Sequence, residues 1–212
     1  AAQNYNTSGL DYSYGPEKKE NRLLTLYANY NKLVESIKSS FDVTAGYDYQ
    51  YWKSTTPLYS EMNTLGEIQK TSKAKDERHV LLSYYGRLNY SFDSRYMLTT
   101  TIRRDATSRF AKNVRWGTFP SVALGWRVTE ESFLKDNKVL SNLKLRASYG
   151  VTGQQDGIGN YNYLPIYTQS QNGAEASMGN GYIHTYRPSS YVPDLKWETT
   201  TSWNVGFDFG FL

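Results

Sequence analysis

The stretch that decides the fold covers residues 103–153 and reads RRDATSRFAKNVRWGTFPSVALGWRVTEESFLKDNKVLSNLKLRASYGVTG. Two runs within it alternate between apolar and polar residues, and a short polar connection separates them. A period of two places successive side chains on opposite faces of a β-strand. The stretch therefore predicts two strands, each with one apolar and one polar face. The apolar faces hold Thr118, Val122, Leu124, Trp126 and Val128 in the first strand and Leu143, Leu145, Ala147, Tyr149 and Val151 in the second.

The same alternation predicts five more strands, over residues 22–31, 41–51, 78–92, 95–103 and 197–211. Asp93 and Ser94 form a tight turn in this scheme, whereas residues 52–77, 104–115 and 152–196 form loops. Thr129 is expected to cap a short helix over residues 130–134, because acidic residues follow it in the first turn. The last loop is expected to hold a hairpin around residues 161–168 and 182–187.

The order of these connections indicates a membrane barrel. Short and long connections alternate along the chain, as in outer-membrane barrels with short periplasmic turns and long extracellular loops. Several predicted strands reach the roughly nine to eleven residues that a tilted strand needs to cross a bilayer. We therefore expect an all-β fold, an antiparallel transmembrane β-barrel segment, with a soluble β-sandwich as the alternative. Val43, Leu124, Leu145 and Val205 are expected to face lipid.

Composition supports a surface that meets an apolar medium. Hydrophobic residues make up 39% of the 212 residues and aromatic residues 16%, with 20 tyrosines. Tyrosine and tryptophan suit interfaces where a ring lies in apolar surroundings while its polar tip stays wet. The net charge of +4 is scattered along the chain, so no nucleic-acid partner is expected. The absence of cysteine excludes disulfides and thiolate metal sites.

Four motifs in succession resemble a known family. They read RRDATSRF, RWGTFPSVALGWRVTEESF, LSNLKLRASYGVTGQQDGIGNYNYL and LKWETTTSWNVGFDFGFL, and they follow one another collinearly over residues 103–212. This order is similar to that in the barrel of the SusC/RagA family, the TonB-dependent outer-membrane transporters of Bacteroidetes-type bacteria. The resemblance covers about half of the chain strongly and the remainder through weaker similarity in strand pattern.

The resemblance implies that residues 1–212 are part of a 22-stranded barrel in the cell outer membrane. The plug domain and the TonB box of the family are expected to be missing from this chain, which would then be an internal portion of a longer transporter. The implied activity is import of oligosaccharides or peptides, with a SusD-like surface lipoprotein and the TonB–ExbB–ExbD complex as partners. The alternative from the residues alone is an extracellular β-sandwich that binds glycans or acts in adhesion.

No enzyme signature is expected, and no cofactor or metal. His79 and His184 lack the spacing and the partnered acid of a catalytic or metal site. A phosphate-binding loop is not expected at Gly153, Gly157 and Gly159, because no P-loop Lys-Ser or Lys-Thr pair follows them. These glycines are instead expected to let a surface loop turn. Asp42, Asp48 and Asp208 are expected to pair with Arg or Lys on a hydrated wall.

The candidate functional residues are expected to bind a substrate rather than to catalyse a reaction. Aromatic rings together with amide and carboxylate groups suit the recognition of sugars, and they equally suit peptides. One loop has this composition, and a second candidate lies at the end of the strand over residues 41–51. The expected substrate-binding residues are Gln154, Gln155, Asp156, Asn160, Tyr161, Tyr163 and Trp52. Arg109 and Phe110 match the recurring loop motif of the family, and folding of that loop is an alternative role for them.

Overall fold

A computed structural model describes residues 3–5, 10–13, 16–63, 65–134, 139–169, 175–179, 181–188 and 191–211. Its strands are β1 Gln3–Tyr5, β2 Leu10–Ser13, β3 Lys18–Val34, β4 Ser39–Thr56, β5 Tyr59–Asn63, β6 Ile68–Ser72, β7 Lys75–Phe92, β8 Tyr96–Thr107, β9 Trp116–Arg127, β10 Leu140–Gln154, β11 Tyr167–Gln169, β12 Glu175–Met178, β13 Gly181–His184, β14 Tyr186–Pro188 and β15 Glu198–Phe211. Single turns of 3₁₀-helix occupy Glu35–Ile37 and Val128–Glu130. Within the described ranges, no helix has the length and apolar character that crossing a membrane requires.

The chain divides into two compact units. The first comprises Ala1–Leu24 and Tyr49–Leu81, and it contains a sheet in the order β1-β2-β5-β6 with antiparallel neighbours. The second comprises Thr25–Asp48 and Leu82–Leu212. It contains β8, β9, β10 and β15 and the parts of β3, β4 and β7 assigned to it, within a sheet ordered β15-β10-β9-β8-β7-β4-β3. The all-β, antiparallel expectation is confirmed.

The register of the second unit aligns apolar residues across four strands. Leu98 of β8 lies opposite Leu124 of β9, which lies opposite Ala147 of β10, which in turn lies opposite Val205 of β15. The next apolar row along the strands runs Tyr96, Trp126, Leu145 and Phe207. Leu124 is 57% and Val205 77% exposed, so this face is not a packed interior. We call it the apolar face. Val43 and Leu145 are exposed as well.

The opposite face, called the polar face, carries charge. Lys144 lies opposite Arg127 on one side and Asp208 on the other, and Arg146 lies between Gly125 and Gly206. The two faces alternate as the sequence predicts, because the period of the strand is two. A large exposed apolar face backed by charge is the arrangement of a wall that separates two media.

Several predicted elements differ from the structure. The prediction of a helix capped by Thr129 is wrong. Val128–Glu130 form a single 3₁₀ turn, and Arg127, the residue before it, makes no side-chain capping hydrogen bond. The prediction of a loop over residues 52–77 is also wrong. β4 continues to Thr56, β5 and β6 follow it, and β7 begins at Lys75. The predicted hairpin exists with other bounds, because β11 pairs with β14 and β12 pairs with β13. The turn at Asp93 and Ser94 is confirmed, and both residues have positive φ.

The buried apolar residues lie mainly at one end of the second unit. Its long-loop end is the edge where the connections from β8 to β9 and from β10 to β15 lie. Its short-turn end holds residues 35–38, 93–95, 128–134 and 139. Among the described residues, the buried apolar side chains are Ala106, Phe110, Phe119, Val128 and Trp197. All but Val128 belong to the long-loop end, so the wall has its only substantial apolar core there within the described part of the chain.

Candidate functional site

Three aromatic rings form the centre of the long-loop end. Phe110 has no exposed surface, and its ring meets Trp197 edge-on with centroids 5.6 Å apart. Phe119 meets the same indole edge-on at 5.3 Å. The indole Nε1 of Trp197 donates a hydrogen bond of 2.9 Å to the carbonyl oxygen of Arg115. Edge-to-face aromatic pairs add about 0.5–1.5 kcal/mol beyond area burial, so this cluster joins the loop after β8 to the strand entry of β15.

Two glycines make room for Phe119. A Cβ on Gly153 would lie 2.1 Å from the Phe119 ring, and one on Gly117 would lie 2.4 Å from it. Real Cβ atoms do not approach ring carbons so closely, so the Phe119 ring requires glycine at both positions. Gly153 was expected to let a loop turn, but it lies inside β10 and serves ring packing instead. Gly157 does turn the loop, with φ of +81°.

Arg109 fastens the two loops of this end to each other. Its Nε donates to Asn160 Oδ1 at 3.2 Å, and its Nη1 donates to the Gln155 carbonyl oxygen at 3.1 Å. Asp156 Oδ1 lies 3.8 Å from the same Nη1. The backbone N–H of Arg109 donates to the hydroxyl of buried Thr107. A planar guanidinium with several fixed donors is suited to this bridging, and Arg109 thereby sets the position of residues 155–160.

The expected substrate-binding residues fall into two groups. Gln155 and Asn160 are engaged by Arg109, whereas Gln154 is exposed and Asp156 has an 80% exposed side chain. Tyr161 and Tyr163 are half-buried in the turn that follows. Trp52 belongs to the first unit, where its ring stacks on His79 with centroids 4.1 Å apart. Within the second unit, the structure therefore brings Gln155, Asp156 and Asn160 together around Arg109.

Charged residues of the polar face pair with one another. Arg103 Nε lies 2.9 Å from Asp105 Oδ1, its Nη2 donates to Ser83 Oγ at 2.8 Å, and its Nη1 lies 3.6 Å from Asp48. Arg146 Nη2 lies 2.8 Å from Asp208 Oδ1. The expected pairing with arginine thus holds for Asp48 and Asp208. Asp42 differs, because it accepts from the amide of Asn29.

The short-turn end is held by a charged network. Glu131 accepts hydrogen bonds from the Tyr96 hydroxyl at 2.6 Å, from Trp126 Nε1 at 3.0 Å and from Arg95 Nη1 at 3.2 Å. Arg95 also pairs with Asp93, and Lys38 Nζ lies 3.4 Å from Asp93 Oδ1. These bonds tie together the three turns of this end.

Hydrogen bonding shifts the acidity of both carboxylates in this network. The bond from the Tyr96 hydroxyl, followed by that from the Trp126 indole, lowers the pKa of Glu131 below its ordinary value. Burial acts to raise the pKa of Asp93, but the bonds from Lys38 and Arg95 outweigh burial and lower it. Both groups are therefore held as carboxylates.

The expectation that neither histidine has an acidic partner is wrong for His184, because the β12–β13 pairing places Glu175 opposite it. His184 Nδ1 lies 3.2 Å from Glu175 Oε1, directly across the β12–β13 ladder. His79 stacks on Trp52 as described above. Among the described residues, no group of three or more His, Cys, Asp or Glu side chains is arranged to hold a metal ion.

Comparison with known proteins identifies the class to which this wall belongs. The model of the family described as "TonB dependent receptor-like, beta-barrel" matches residues 1–212. Over 199 residues the chain is 45% identical to TonB-dependent receptor SusC of Bacteroides thetaiotaomicron, an alignment that covers 87% of this chain and 19% of that protein. It is 35% identical over 202 residues to TonB-dependent receptor P39 of Formosa agariphila, covering 86% of this chain and 18% of the relative.

A solved structure shares the fold. The RagAB peptide transporter matches with a TM-score of 0.77 at 22% identity, over 95% of this chain and 22% of that one. The two-faced antiparallel wall thus has the architecture of an outer-membrane β-barrel. The chain belongs to the TonB-dependent receptor family, and the resemblance to SusC and RagA proteins is confirmed. It spans about a fifth of the length of these curated relatives, which are named as receptors rather than enzymes.

Proposed function

We propose that this chain is part of the barrel wall of an outer-membrane transporter that imports oligosaccharides or peptides. The observation that carries the proposal is the 45% identity to a TonB-dependent receptor, extending over 87% of the chain. In this proposal residues 1–212 lie in a 22-stranded barrel, and the plug domain and TonB box belong to other parts of the protein. A SusD-like surface lipoprotein works with the barrel, and the TonB–ExbB–ExbD complex supplies the energy.

The two faces of the sheet suit import of a hydrophilic solute. The apolar face is assigned to lipid, and the polar face, with Arg103, Lys144 and Arg146, is assigned to the barrel lumen. Barrels of this type alternate apolar residues outward with polar residues inward. A wall lined by paired charges stays hydrated and offers hydrogen bonds to sugars and to peptides alike. The substrate class is therefore open between the two, although a structural relative is titled a peptide transporter.

We assign substrate contact to the loop after β10. Gln154 and Asp156 expose amide and carboxylate groups there, and Tyr161 and Tyr163 supply rings. Arg109 holds this loop through its hydrogen bonds to Gln155 and Asn160, so the exposed groups keep a fixed arrangement. Such preorganisation reduces the entropy lost on binding. Gln155 and Asn160 support the loop through Arg109, and Trp52 of the first unit is assigned a separate contact with substrate.

An uptake assay with the full-length protein and its lipoprotein partner tests the function. Labelled oligosaccharides and labelled peptides are supplied to cells with and without a working TonB complex. We expect accumulation of one class only when the complex works. If neither class accumulated in a TonB-dependent manner, the import proposal would be wrong.

The loop assignment has its own test. Asp156→Ala and Tyr163→Ala are expected to raise the substrate concentration needed for half-maximal uptake, while Thr168→Ala, at an exposed position of β11 in the same long connection, leaves it unchanged. Equal uptake by all three variants would show that the loop does not contact substrate, and the import proposal would be unaffected.

A further inference from the structure

We propose that the apolar face carries, at the long-loop end, a binding site for the phosphate of a lipid headgroup in the outer leaflet. The site consists of Arg104 and Lys196 around the ring of Trp116. It lies at the Trp116 end of β9 and takes no part in substrate binding. The inference needs the membrane placement proposed above but not the import activity, so the two can fail separately.

The register assigns these residues to the apolar face. β8 and β9 pair without interruption from Tyr96 opposite Trp126 to Ala106 opposite Trp116. Directly opposed residues share a face, and alternate residues along a strand share it too. Arg104 and Trp116 therefore continue the same face as Leu98 and Leu124. Ile102, one step before Arg104 on this face, is 57% exposed.

An aromatic row marks the height at which the apolar band ends. Tyr47 packs on Tyr84 with ring centroids 5.2 Å apart, and Tyr84 stacks on Trp116 at 6.1 Å. Tyr84 and Trp116 are both exposed. Belts of Tyr and Trp lie at the boundary between hydrocarbon and headgroups in membrane barrels. A cation directly beside this row is therefore at headgroup depth.

Two cations are each associated with Trp116, Arg104 through its ring and Lys196 through a shared groove. The guanidinium carbon of Arg104 lies 5.0 Å above the Trp116 ring. Lys196 lines a groove of about 400 Å³ together with Trp116, Thr118, Asn113 and Thr199. Both cations are exposed, and neither forms an ion pair with a carboxylate in the part of the chain that the structure describes.

Asp105 and Glu198, which neighbour Arg104 and Trp197 in the sequence, belong to the other face. Asp105 follows Arg104 and is engaged by Arg103 on the polar face. Glu198 lies opposite Gln154 and shares its face with Asp208 and Asn204, by the alternation of β15. The groove presents positive charge, hydroxyl groups and an indole, and no carboxylate is among the described residues that line it. Phosphate accepts from such donors and is attracted by both charges.

The occupant is a lipid rather than a free anion because the apolar face continues below the groove. Val122, Leu124 and Ile102 are exposed there and give acyl chains a surface. A headgroup phosphate in the groove would keep its chains against these residues. An inorganic phosphate would gain the charges alone and none of the apolar contact.

Lipid binding to the full-length protein in detergent tests the proposal. The probes are phosphorylated lipid A, the same lipid A without its phosphate, and inorganic phosphate, and native mass spectrometry counts the bound lipid. We expect one tightly bound phosphorylated lipid A and weaker binding of the dephosphorylated form. Each juxtamembrane cation contributes about fivefold, so Arg104→Gln or Lys196→Gln should weaken binding about fivefold and the double variant more than tenfold.

Matched variants separate the site from general attraction to positive charge. Lys112→Gln removes an exposed cation from the same end of the barrel outside the groove, and it should leave lipid binding unchanged. The exchange Arg104→Lys with Lys196→Arg should retain binding. Heat-modifiable migration on gels verifies that each variant is folded.

The outcomes that overturn the proposal are specific. They are equal binding of the two lipid A forms, an equal loss in Lys112→Gln, or unchanged binding in the double variant. Competition by inorganic phosphate at the same concentration as the lipid would overturn the lipid as occupant. Import measured on the same variants should stay at the wild-type level, so a transport failure and a lipid failure are distinguishable.

Discussion

The two ends of the second unit are held by different forces, although the same strands form both. At the long-loop end, Phe110, Phe119 and Trp197 bury one another and Arg109 bridges two loops. At the short-turn end, ion pairs and hydrogen bonds join Lys38, Asp93, Arg95 and Glu131. One end has a small apolar core, whereas the other has a charged network.

The difference follows from the side chains that the connections supply. Phe110 in the connection after β8 and Trp197 just before β15 bury each other, whereas Phe133 at the short-turn end is 70% exposed. The turn at residues 93–95 is too short to form an apolar core. It is therefore joined to the neighbouring turns by hydrogen bonds and ion pairs between side chains. Burial gives the long-loop end a fixed shape independently of pH, which suits the substrate contact proposed for it.

The largest effect is expected from Phe110→Ala. This change removes the most buried ring of the long-loop end and should lower the free energy of unfolding by about 3–5 kcal/mol. Phe133→Ala, in a turn at the opposite end where the ring is 70% exposed, should change it by less than about 0.5 kcal/mol. Denaturant unfolding of both variants in lipid vesicles measures the contrast. Similar losses would show that the two ends do not differ in burial.

A second prediction concerns the sheet between the ends. Val205→Arg places a charge on the apolar face near the middle of β15 and should cost about 2–4 kcal/mol in a bilayer. Asn204→Arg adds the same charge one residue earlier on the polar face and should be tolerated. The same unfolding measurement applies, and Val43, Leu124 and Leu145 should behave as Val205 does. Equal tolerance at Val205 and Asn204 would refute the assignment of faces.

A smaller effect is expected from the glycines under Phe119. Gly153→Ala should destabilise the long-loop end by about 1–3 kcal/mol because the new methyl group overlaps the ring. Gly86→Ala is the control, since its nearest neighbour outside the local chain would lie 3.9 Å away. Combining Gly153→Ala with Phe119→Ala should remove the penalty of the glycine change. A penalty that persisted in the double variant would have another origin.

The smallest effect is a dependence on pH, limited to the short-turn end. The pKa of Glu131 is lowered in the folded protein, so its contribution is complete above the unfolded value of about 4.5. The contribution is lost as the pH falls through the lower folded pKa. The stability difference between the wild type and Glu131→Gln should therefore shrink in that window.

The long-loop end supplies the contrast for this prediction. The difference between the wild type and Phe110→Ala should stay constant over the same pH range, because the ring of Phe110 packs on the indole of Trp197, which does not titrate. Unfolding titrations at neutral pH and below pH 4 compare the two differences. A constant Glu131 difference, or a Phe110 difference that falls in parallel, would contradict the distinction between the ends.

Alternation predicted the seven long strands and both faces, because the period of two is a local property of the chain. It underestimated strand length: β4 reaches Thr56 and β8 reaches Thr107, where polar residues continue the pairing without an apolar face. It missed β5 and β6 for a related reason. β5 pairs with the distant β2 as well as with β6, and neither segment alternates in hydrophobicity.

The candidate site was predicted only in part. The loop at residues 154–163 was proposed to bind substrate from its composition, which is also local, and this role stays a prediction. The contact of Phe110 with Trp197 joins distant residues, so spacing did not reveal it. The available signal was a single large apolar residue within a polar turn of the RRDATSRF motif. Gly153 was misread for the same reason, because its partner ring lies on another strand.

The central claim is that this sheet is a membrane wall with lipid on one face and water on the other. The chain contains no cysteine, so single cysteines can be introduced along β15 of the full-length protein once any others are removed. A water-soluble maleimide is applied to outer membranes. Labelling should alternate, with Asn204, Gly206 and Asp208 modified and Trp203, Val205 and Phe207 protected. Uniform labelling of all six positions would contradict the claim.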